Sequence, residues 1–540
     1  MCGIHVAISR NGAAPSPSQQ LKTCLTNRGP DHLGREHATI TADNGSCTSL
    51  AFTSTVLSLR GDHVTPQPFC SAAEGSGSVL CWNGEAWKMD GEPVEGNDGE
   101  AVFSRLVAAA GETAVLHVLR GIRGPFAFVY LDATASRLYF GRDRLGRRSL
   151  LQTHDGAGGL TISSVADAAD ISGWSEVEAD GIYVLDLRAW PASMPPPVAR
   201  RSWGLDEDQD AEDIVLNIGR LNKACPETGD DVAPLVSSSP SVMQLRRQLV
   251  DSLMPRVLNI PPPTSDVAAD ARVAVLFSGG LDCTVLARLA SDLVPQDQAI
   301  DLLNVAFENP RVALHRKADA VETIYEACPD RVTGRKSFAE LAAACPSRRW
   351  RFVAVDVPYT ETQAHRSQVI SLMHPHNTEM DLSIAYALYF AARGVGVAYE
   401  HGSDAPAPYT TPARVLLSGL GADELFGGYS RHQAAFDRDG YRGLAVELEL
   451  DVGRLGKRNL GRDDRAMAHW GREVRFPFLD EDLVRWAIEA PVWEKCDFGH
   501  PGTPSLPEPG KRVLRLVAEQ LDLPSVAHEK KRAVRSPVPH

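Results

Sequence analysis

The stretch VAVLFSGGLDCTVLARLA, residues 273–290, decides the fold of the larger part of this chain. Val273 to Phe277 form an uninterrupted apolar run of strand length, Gly279 and Gly280 turn the chain, and apolar residues then recur at helical spacing from Leu281. The same alternation extends outward. SVMQLRRQLVDSLMPRVLN (241–259) precedes it as a helix, and DLLNVAFEN (301–309), ADAVETIYEAC (318–328) and RFVAVDVPY (351–359) follow as strand, helix and strand. Strand, turn and helix in this order predict a parallel sheet with helices on both faces, whose ligand sites lie beyond the carboxyl ends of the strands. After about residue 430 the pattern is mostly helical.

Upstream, residues 2–190 read differently. GIHVAI, STVLSLRG, VLCWNGEAW, PFAFVYLDA, RLYFGRD, GLTISSV and GIYVLDL are short runs rich in β-branched and aromatic residues, bounded by turn formers. They predict antiparallel strands, with EAVFSRLVAAA and ETAVLHVLR as intervening helices. Between the two regions, residues 191–240 are Pro-rich, then acidic, then small and polar, which predicts a connector. The second domain is expected over 241–540.

Composition narrows the functional classes. With 540 residues and 43% hydrophobic content the chain can bury a large core in two or three domains. Asp and Glu number 69 against 55 Lys and Arg, a formal charge of −14 that repels polyanions, so no nucleic-acid partner is expected. The run Lys530-Lys531-Arg532 reads as a solvated terminal segment. The 10 cysteines include no Cys-x-x-Cys pair, so reduced thiols are expected rather than a zinc or iron-sulfur site. MCGIHVAISR lacks a basic-then-apolar leader, and no run approaches a membrane span, which together favour a cytoplasmic location. Nothing fixes the oligomeric state.

Two places carry chemistry. If Met1 is removed, Cys2 presents a thiol nucleophile beside its own α-amine, an arrangement suited to attack on an amide carbonyl. On the dipeptide alone, an ordinary second-position cysteine is the simpler reading. In the second place, Gly279 and Gly280 expose backbone N–H groups at a helix start between Ser278 and Cys283, which suits a polyphosphate. The Asp282 carboxylate there makes sense with Mg²⁺ between it and the phosphates. The plain alternative is a strand-turn-helix corner. His5, His374 and His376 show no partner in sequence and read as packing or surface hydrogen-bonding groups.

Cys2-Gly3-Ile4, Arg28-Gly29-Pro30-Asp31, Asn83-Gly84-Glu85 and Gly96-Asn97-Asp98 follow one another in the order of the class II glutamine amidotransferase domain, which this region resembles. The resemblance implies an α+β domain of stacked antiparallel sheets with helices, in which Cys2 forms a thioester while Asn83 and the Gly84 N–H stabilise the oxyanion. Removing such a donor costs about 3 to 4 kcal/mol in comparable hydrolases. It also implies that Asp98 holds the α-amino group of glutamine and that Glu85 borders the same pocket. The arginine that family places before Leu-Ser is replaced by Val56; Arg60, two pleats along the expected strand, either substitutes for it or makes a structural salt bridge.

Ser278-Gly279-Gly280-Leu281-Asp282-Cys283 is similar to the SGGxDS loop of ATP pyrophosphatases, with Cys283 in place of Ser. Residues 418–429, SGLGADELFGGY, and EVRFPFLDEDLV are similar to segments of asparagine synthetases, and HPHNTEMDLSIAYALYF fits the same pattern, its helix capped by Thr378 or Asn377. Together they resemble the asparagine synthetase domain-containing protein group. What this implies is an α/β parallel-sheet ATP-pyrophosphatase-like domain with a helical C-terminal part, binding ATP and pyrophosphate through Ser278, Gly279, Gly280, Asp282, Cys283, Ser418, Gly419 and Lys511, and Mg²⁺ through Asp282 and Asp423. The implied reaction is a glutamine-dependent ligation in which aspartate or another small carboxylate becomes an amide. The family carries Glu where Leu420 stands, and Leu cannot transfer a proton. With Val56, that departure supports an alternative, a nucleotide-binding regulatory or scaffold protein or an amidotransferase with another acceptor. The sequence ends with HEKKRAVRSPVPH, residues 528–540, where the family pattern leads one to expect a further helical tail.

Overall fold

The computed structural model describes residues 2–10, 12–41, 45–71, 77–155, 158–190, 197–204, 214–226, 232–262, 270–310, 321–401, 405–502 and 506–530. The backbone forms two compact units, Met1–Ala211 with Ser367–Ala385 and Leu455–Glu473, and Glu212–Arg366 with Tyr386–Arg454 and Val474–His540.

In the first unit two six-stranded sheets stack. One runs in the order Ser175–Glu176, Leu151–His154, Leu160–Ser163, Gly3–Arg10, Cys47–Val56, His32–Thr41, and the other Val198–Arg201, Ile182–Asp186, Arg137–Arg142, Phe126–Asp132, Val79–Gly84, Phe69–Cys70. Strand alternation decides what each residue buries. Val79 and Cys81 join Ile4, Val6, Ile8 and Phe52 in one core, whereas Leu80 and Trp82 turn the other way, onto Val102, Leu106, Leu116 and Leu119 of the helices Asp98–Ala108 and Glu112–Gly121. This is the α+β arrangement of stacked antiparallel sheets with helices that the sequence leads one to expect.

One strand is shorter than expected. The pattern STVLSLRG predicts extension through Arg60, but the strand ends at Val56. There the Val56 carbonyl accepts the Asp31 N–H at 2.9 Å and the Ser58 N–H turns to Asp31 Oδ2 at 2.7 Å, so the ladder closes on the Arg28–Asp31 turn and the two-pleat placement of Arg60 does not hold.

Segments 367–385 and 455–473 lie downstream of residue 241 in sequence yet pack within the first unit. Buried ion pairs hold the latter: Arg28 to Asp464 at 2.8 Å, and Arg465 to Glu176 at 2.8 Å, with Arg142 on the same Glu176 at 2.9 Å. Burial alone would raise the Glu176 carboxyl; Arg465 and Arg142 reverse this and hold it far below the usual range.

The second unit is built on a seven-stranded sheet in the order Ala407–Thr410, Val395–Glu400, Trp350–Val357, Ala299–Phe307, Ala271–Leu276, Val415–Leu417, Glu473–Arg475. Trp350–Val357, Ala299–Phe307, Ala271–Leu276 and Val415–Leu417 are parallel. The first two strands in that order add an antiparallel edge not read from sequence: Gly394, at φ +67°, reverses the chain directly from the preceding helix into Val395. Thr378 Oγ1 accepts the Asp381 N–H at 3.1 Å and caps that helix.

Within the expected connector, residues 191–196, 205–213 and 227–231 lie outside the described residues. Between them Val198–Arg201 pairs with Ile182–Asp186, and Ile214–Val215 forms a small hairpin with Gly219–Arg220. The helix expected over 318–328 is described from Val321 to Glu326; residues 318–320 lie outside, as do residues 531 and 532 of the basic run. Among the described residues no helix is long and apolar enough to cross a membrane.

Candidate functional site

In the first unit, Cys2 precedes the central strand Gly3–Arg10 and is held on all sides. Its N–H donates to Asn83 Oδ1 at 3.0 Å, its carbonyl accepts from Arg28 Nε at 3.3 Å, and the next N–H, of Gly3, donates to Thr55 Oγ1 at 3.0 Å. Asn83 comes from the strand Val79–Gly84, where the register sets it opposite Ala127. Spending Oδ1 on Cys2 fixes the amide, and Asn83 Nδ2 is buried without a hydrogen-bond partner among the described residues. An unmatched buried donor costs about 1 to 3 kcal/mol, and a donor so held is able to receive a developing negative oxygen.

The cavity at Cys2 is lined by Val56, Ser58, Arg60, Gln67, Gly84, Glu85, Asp98 and Glu473, among others. Asp98 opens the helix Asp98–Ala108; its Oδ2 accepts from Trp82 Nε1 at 3.0 Å and from the Ala86 N–H at 2.9 Å. Burial raises its carboxyl and Arg60 pulls it back. Arg60 lies on this wall although the strand has ended. Its guanidinium donates to the carbonyls of Ala86, at 3.0 Å, and Val94, and stands 3.6 Å from Glu85. Cys2, Asn83, Gly84, Glu85, Asp98 and Arg60 are thus brought together. Burial pushes the Cys2 thiol up.

In the second unit, Ser278, Gly279 and Gly280 link the strand Ala271–Leu276 to the helix Leu281–Leu293. Gly279 sits at φ +82°, and a Cβ there would fall 2.5 Å from the Gly334 nitrogen, so only glycine fits. Cys283 is buried, with Sγ 3.8 Å from Ser278 Oγ and 3.3 Å from the Gly280 carbonyl, and burial raises its thiol. The helix begins at this turn with no side-chain cap, leaving its N-terminal dipole for an anion.

Lys511 ties the turn to residues 418–428. Its Nζ lies 2.8 Å from both oxygens of Asp282 and 2.8 Å from Asp423 Oδ1. Burial would lower this amine, but Asp282 and Asp423 outweigh it and raise it to about 12. Lys511 is held in the left-handed region, φ +54°, by its N–H bond to the Phe426 carbonyl at 3.0 Å. Gly428 makes room for the pair, since a Cβ there would meet Asp423 Oδ1 at 1.8 Å and Lys511 Cε at 2.9 Å. A Cβ on Gly419 would stand 2.9 Å from the Asp282 Cβ, so that loop too rests on the glycine turn. Ser418 donates its N–H to the Arg475 carbonyl at 3.0 Å, and Leu420, half-buried, donates its own to Ser418 Oγ at 3.3 Å.

Two groups escaped sequence reasoning. Gln67 is buried, with Nε2 3.8 Å from Cys2 Sγ; nothing in TPQPF marks it. Glu424, next to Asp423, accepts from Tyr429 Oη at 2.6 Å in a buried site that raises its carboxyl; its helical offset from Asp423 hid it among charged residues.

Comparison with known proteins matches both halves. A glutamine amidotransferase domain family matches residues 1–181, and the asparagine synthase family matches residues 409–443 and 437–540. Asparagine synthetase domain-containing protein 1 of Mus musculus is 33% identical, with 99% of this chain and 96% of that one covered. Its namesake in Bos taurus is 34% identical, with 99% and 95% covered. A putative glutamine-hydrolyzing asparagine synthetase of Methanocaldococcus jannaschii is 49% identical over 79 residues, 15% of each chain. Two domains of the kind used in glutamine-dependent amide formation, joined in one chain and matched from end to end, define its kinship: it belongs to the asparagine synthetase domain-containing protein family.

Proposed function

We propose that this protein is an ATP-dependent ligase that takes nitrogen from glutamine and joins it to a small carboxylate, with aspartate the first candidate acceptor. The observation that carries the reading is the buried, unspent Nδ2 of Asn83 beside Cys2. With Met1 removed, the Cys2 α-amine takes the thiol proton and the sulfur attacks the glutamine amide carbon, while Asn83 Nδ2 and the Gly84 N–H receive the oxyanion. The C–N bond breaks as ammonia takes up that proton, and water then cleaves the thioester to glutamate. Asp98 and Glu85 attract the substrate ammonium; Arg60 is the cation available on the wall for its carboxylate.

In the second unit the acceptor carboxylate attacks the α-phosphate of ATP, giving an adenylate and pyrophosphate, and ammonia then displaces AMP. The turn at Ser278–Gly280, with Cys283, Ser418 and Gly419 around it, cradles phosphates, and Lys511 carries positive charge to them. Asp282 and Asp423 would hold Mg²⁺, since they offer hard oxygen donors that converge on one cationic point, and the ion would supply charge neutralisation for the departing pyrophosphate. Leu420 removes the family carboxylate and favours an acceptor other than aspartate as the second reading.

The test is incubation of Met-processed protein with ATP, Mg²⁺, aspartate and either glutamine or ammonium, with pyrophosphate, AMP and asparagine measured together. Asparagine from both nitrogen sources supports the full reaction. Pyrophosphate only with another carboxylate moves the acceptor, and nucleotide binding without any product overturns the ligase reading.

A further inference from the structure

Gln67 reaches the Cys2 sulfur from the edge of the second sheet. The register Phe69 to Leu80 and Cys70 to Val79, continued past the end of the short strand Phe69–Cys70, sets Gln67 across from Trp82. There the Gln67 side chain replaces the missing strand: its Oε1 accepts the Trp82 N–H at 2.9 Å. That bond settles which end of the amide faces the thiol. Turned over, Oε1 would point at the sulfur and two sets of N–H groups would oppose each other. In the observed orientation Nε2 points to Cys2 Sγ at 3.8 Å, within range for a hydrogen bond to sulfur. The backbone is equally fixed, since the Gln67 carbonyl lies where a Cβ on Gly34 would come within 2.1 Å. Gln67 is 6% exposed, so water does not compete for this donor.

We infer that Gln67 is a catalytic residue of the amidase half, whose side-chain N–H donates to the Cys2 sulfur and stabilises the thiolate that attacks the amide. The inference rests on the reading of Cys2 as the nucleophile. A buried thiol resists ionisation, and burial is the largest influence on Cys2, with the Glu473 and Asp98 carboxylates adding to it; the positive charge of the chain terminus and then the Leu57 backbone N–H act the other way, and the Gln67 side chain offers a second neutral donor. Gln67 takes no proton at any step. It lowers the cost of the charge on sulfur before attack, and its grip on Trp82 couples the thiolate to the strand that carries Asn83.

The test needs no glutamine turnover. In the full chain with native N-terminus, the rate of iodoacetamide alkylation of Cys2 is followed against pH by mass spectrometry of the N-terminal peptide, which separates this thiol from the others. Gln67→Leu is expected to move the midpoint upward by about one pH unit, a tenfold loss of thiolate at fixed pH. Gln67→Glu keeps the shape and the Trp82 bond but sets a carboxylate against the sulfur, and is expected to move it further. Circular dichroism checks that both variants fold, and the isosteric Glu variant keeps the test open if Leu does not. Wild-type midpoints in either folded variant overturn the inference. Shifted midpoints, in a protein that releases no ammonia from glutamine, uphold the Gln67 hydrogen bond to the Cys2 sulfur but overturn its catalytic role together with the glutaminase reading.

Discussion

Arg28 and Asp464 stand 436 residues apart in sequence and 2.8 Å apart in space, both buried, and the same guanidinium donates to the carbonyl of Cys2. Asp464 also accepts the Ser149 N–H at 3.2 Å and lies 3.7 Å from Arg148. Cys2 is therefore positioned in part by a residue encoded far downstream of the amidotransferase-like motifs. Asp464→Ala should destabilise the first unit by about 3 to 5 kcal/mol, because it strands buried positive charge. Limited proteolysis should show residues 2–190 cleaved faster, with glutaminase activity falling in step.

Asn83→Leu keeps the branched shape but removes both the idle donor and the Oδ1 acceptor of the Cys2 N–H. Glutamine hydrolysis should fall by about 10² to 10³. Ammonium-supported pyrophosphate release should be unchanged, and a parallel loss with ammonium would place Asn83 in a structural role.

Gly428→Ala should act on the other half. Its methyl group would collide with the Asp423 carboxylate and the Lys511 side chain. ATP-dependent pyrophosphate release should drop at least about tenfold, equivalent to 1.36 kcal/mol in the barrier, while ammonia release from glutamine continues.

His5 gives a pH signature. It lies buried on the first strand, where burial pushes its imidazole down to about 4. Unfolded chains bind that proton near pH 6.5 and folded chains do not, so stability is full above pH 6.5 and declines as pH falls towards 4. The loss from this residue amounts to about 3 kcal/mol. His5→Phe should flatten the dependence of urea midpoints between pH 7 and 4; an unchanged slope would assign the acid sensitivity elsewhere.

Much of this was legible in the sequence. The strand VLCWNG, whose residues alternate between one core and the other, and the run from Val273 through the glycines into Leu281, specify their elements through periodicities of two and 3.6 residues, which local chemistry sets. The motif order set Cys2 and Asp98 on one cavity wall, with Asn83 hydrogen-bonded to Cys2, and brought Asp282, Asp423 and Lys511 to one point. What escaped is what depends on pairing across distance. The strand ended at Val56 because Asp31 captured its last groups, and no local pattern announces such a stop. Gln67 became a partner of sulfur through register with Trp82, and Asp464 through a guanidinium hundreds of residues upstream; isolated polar residues carry no period that would single them out.

The charge pairs that draw residues 455–473 into the first unit make that unit a poor cassette. A gene fragment ending at the connector would encode Arg28 and Arg148 in their buried places without Asp464 and Glu473, the carboxylates that face them. Truncation late in the reading frame, well past residue 190, would then silence both of the proposed chemistries at once, so under that proposal the two should be inherited and lost together and not traded between chains.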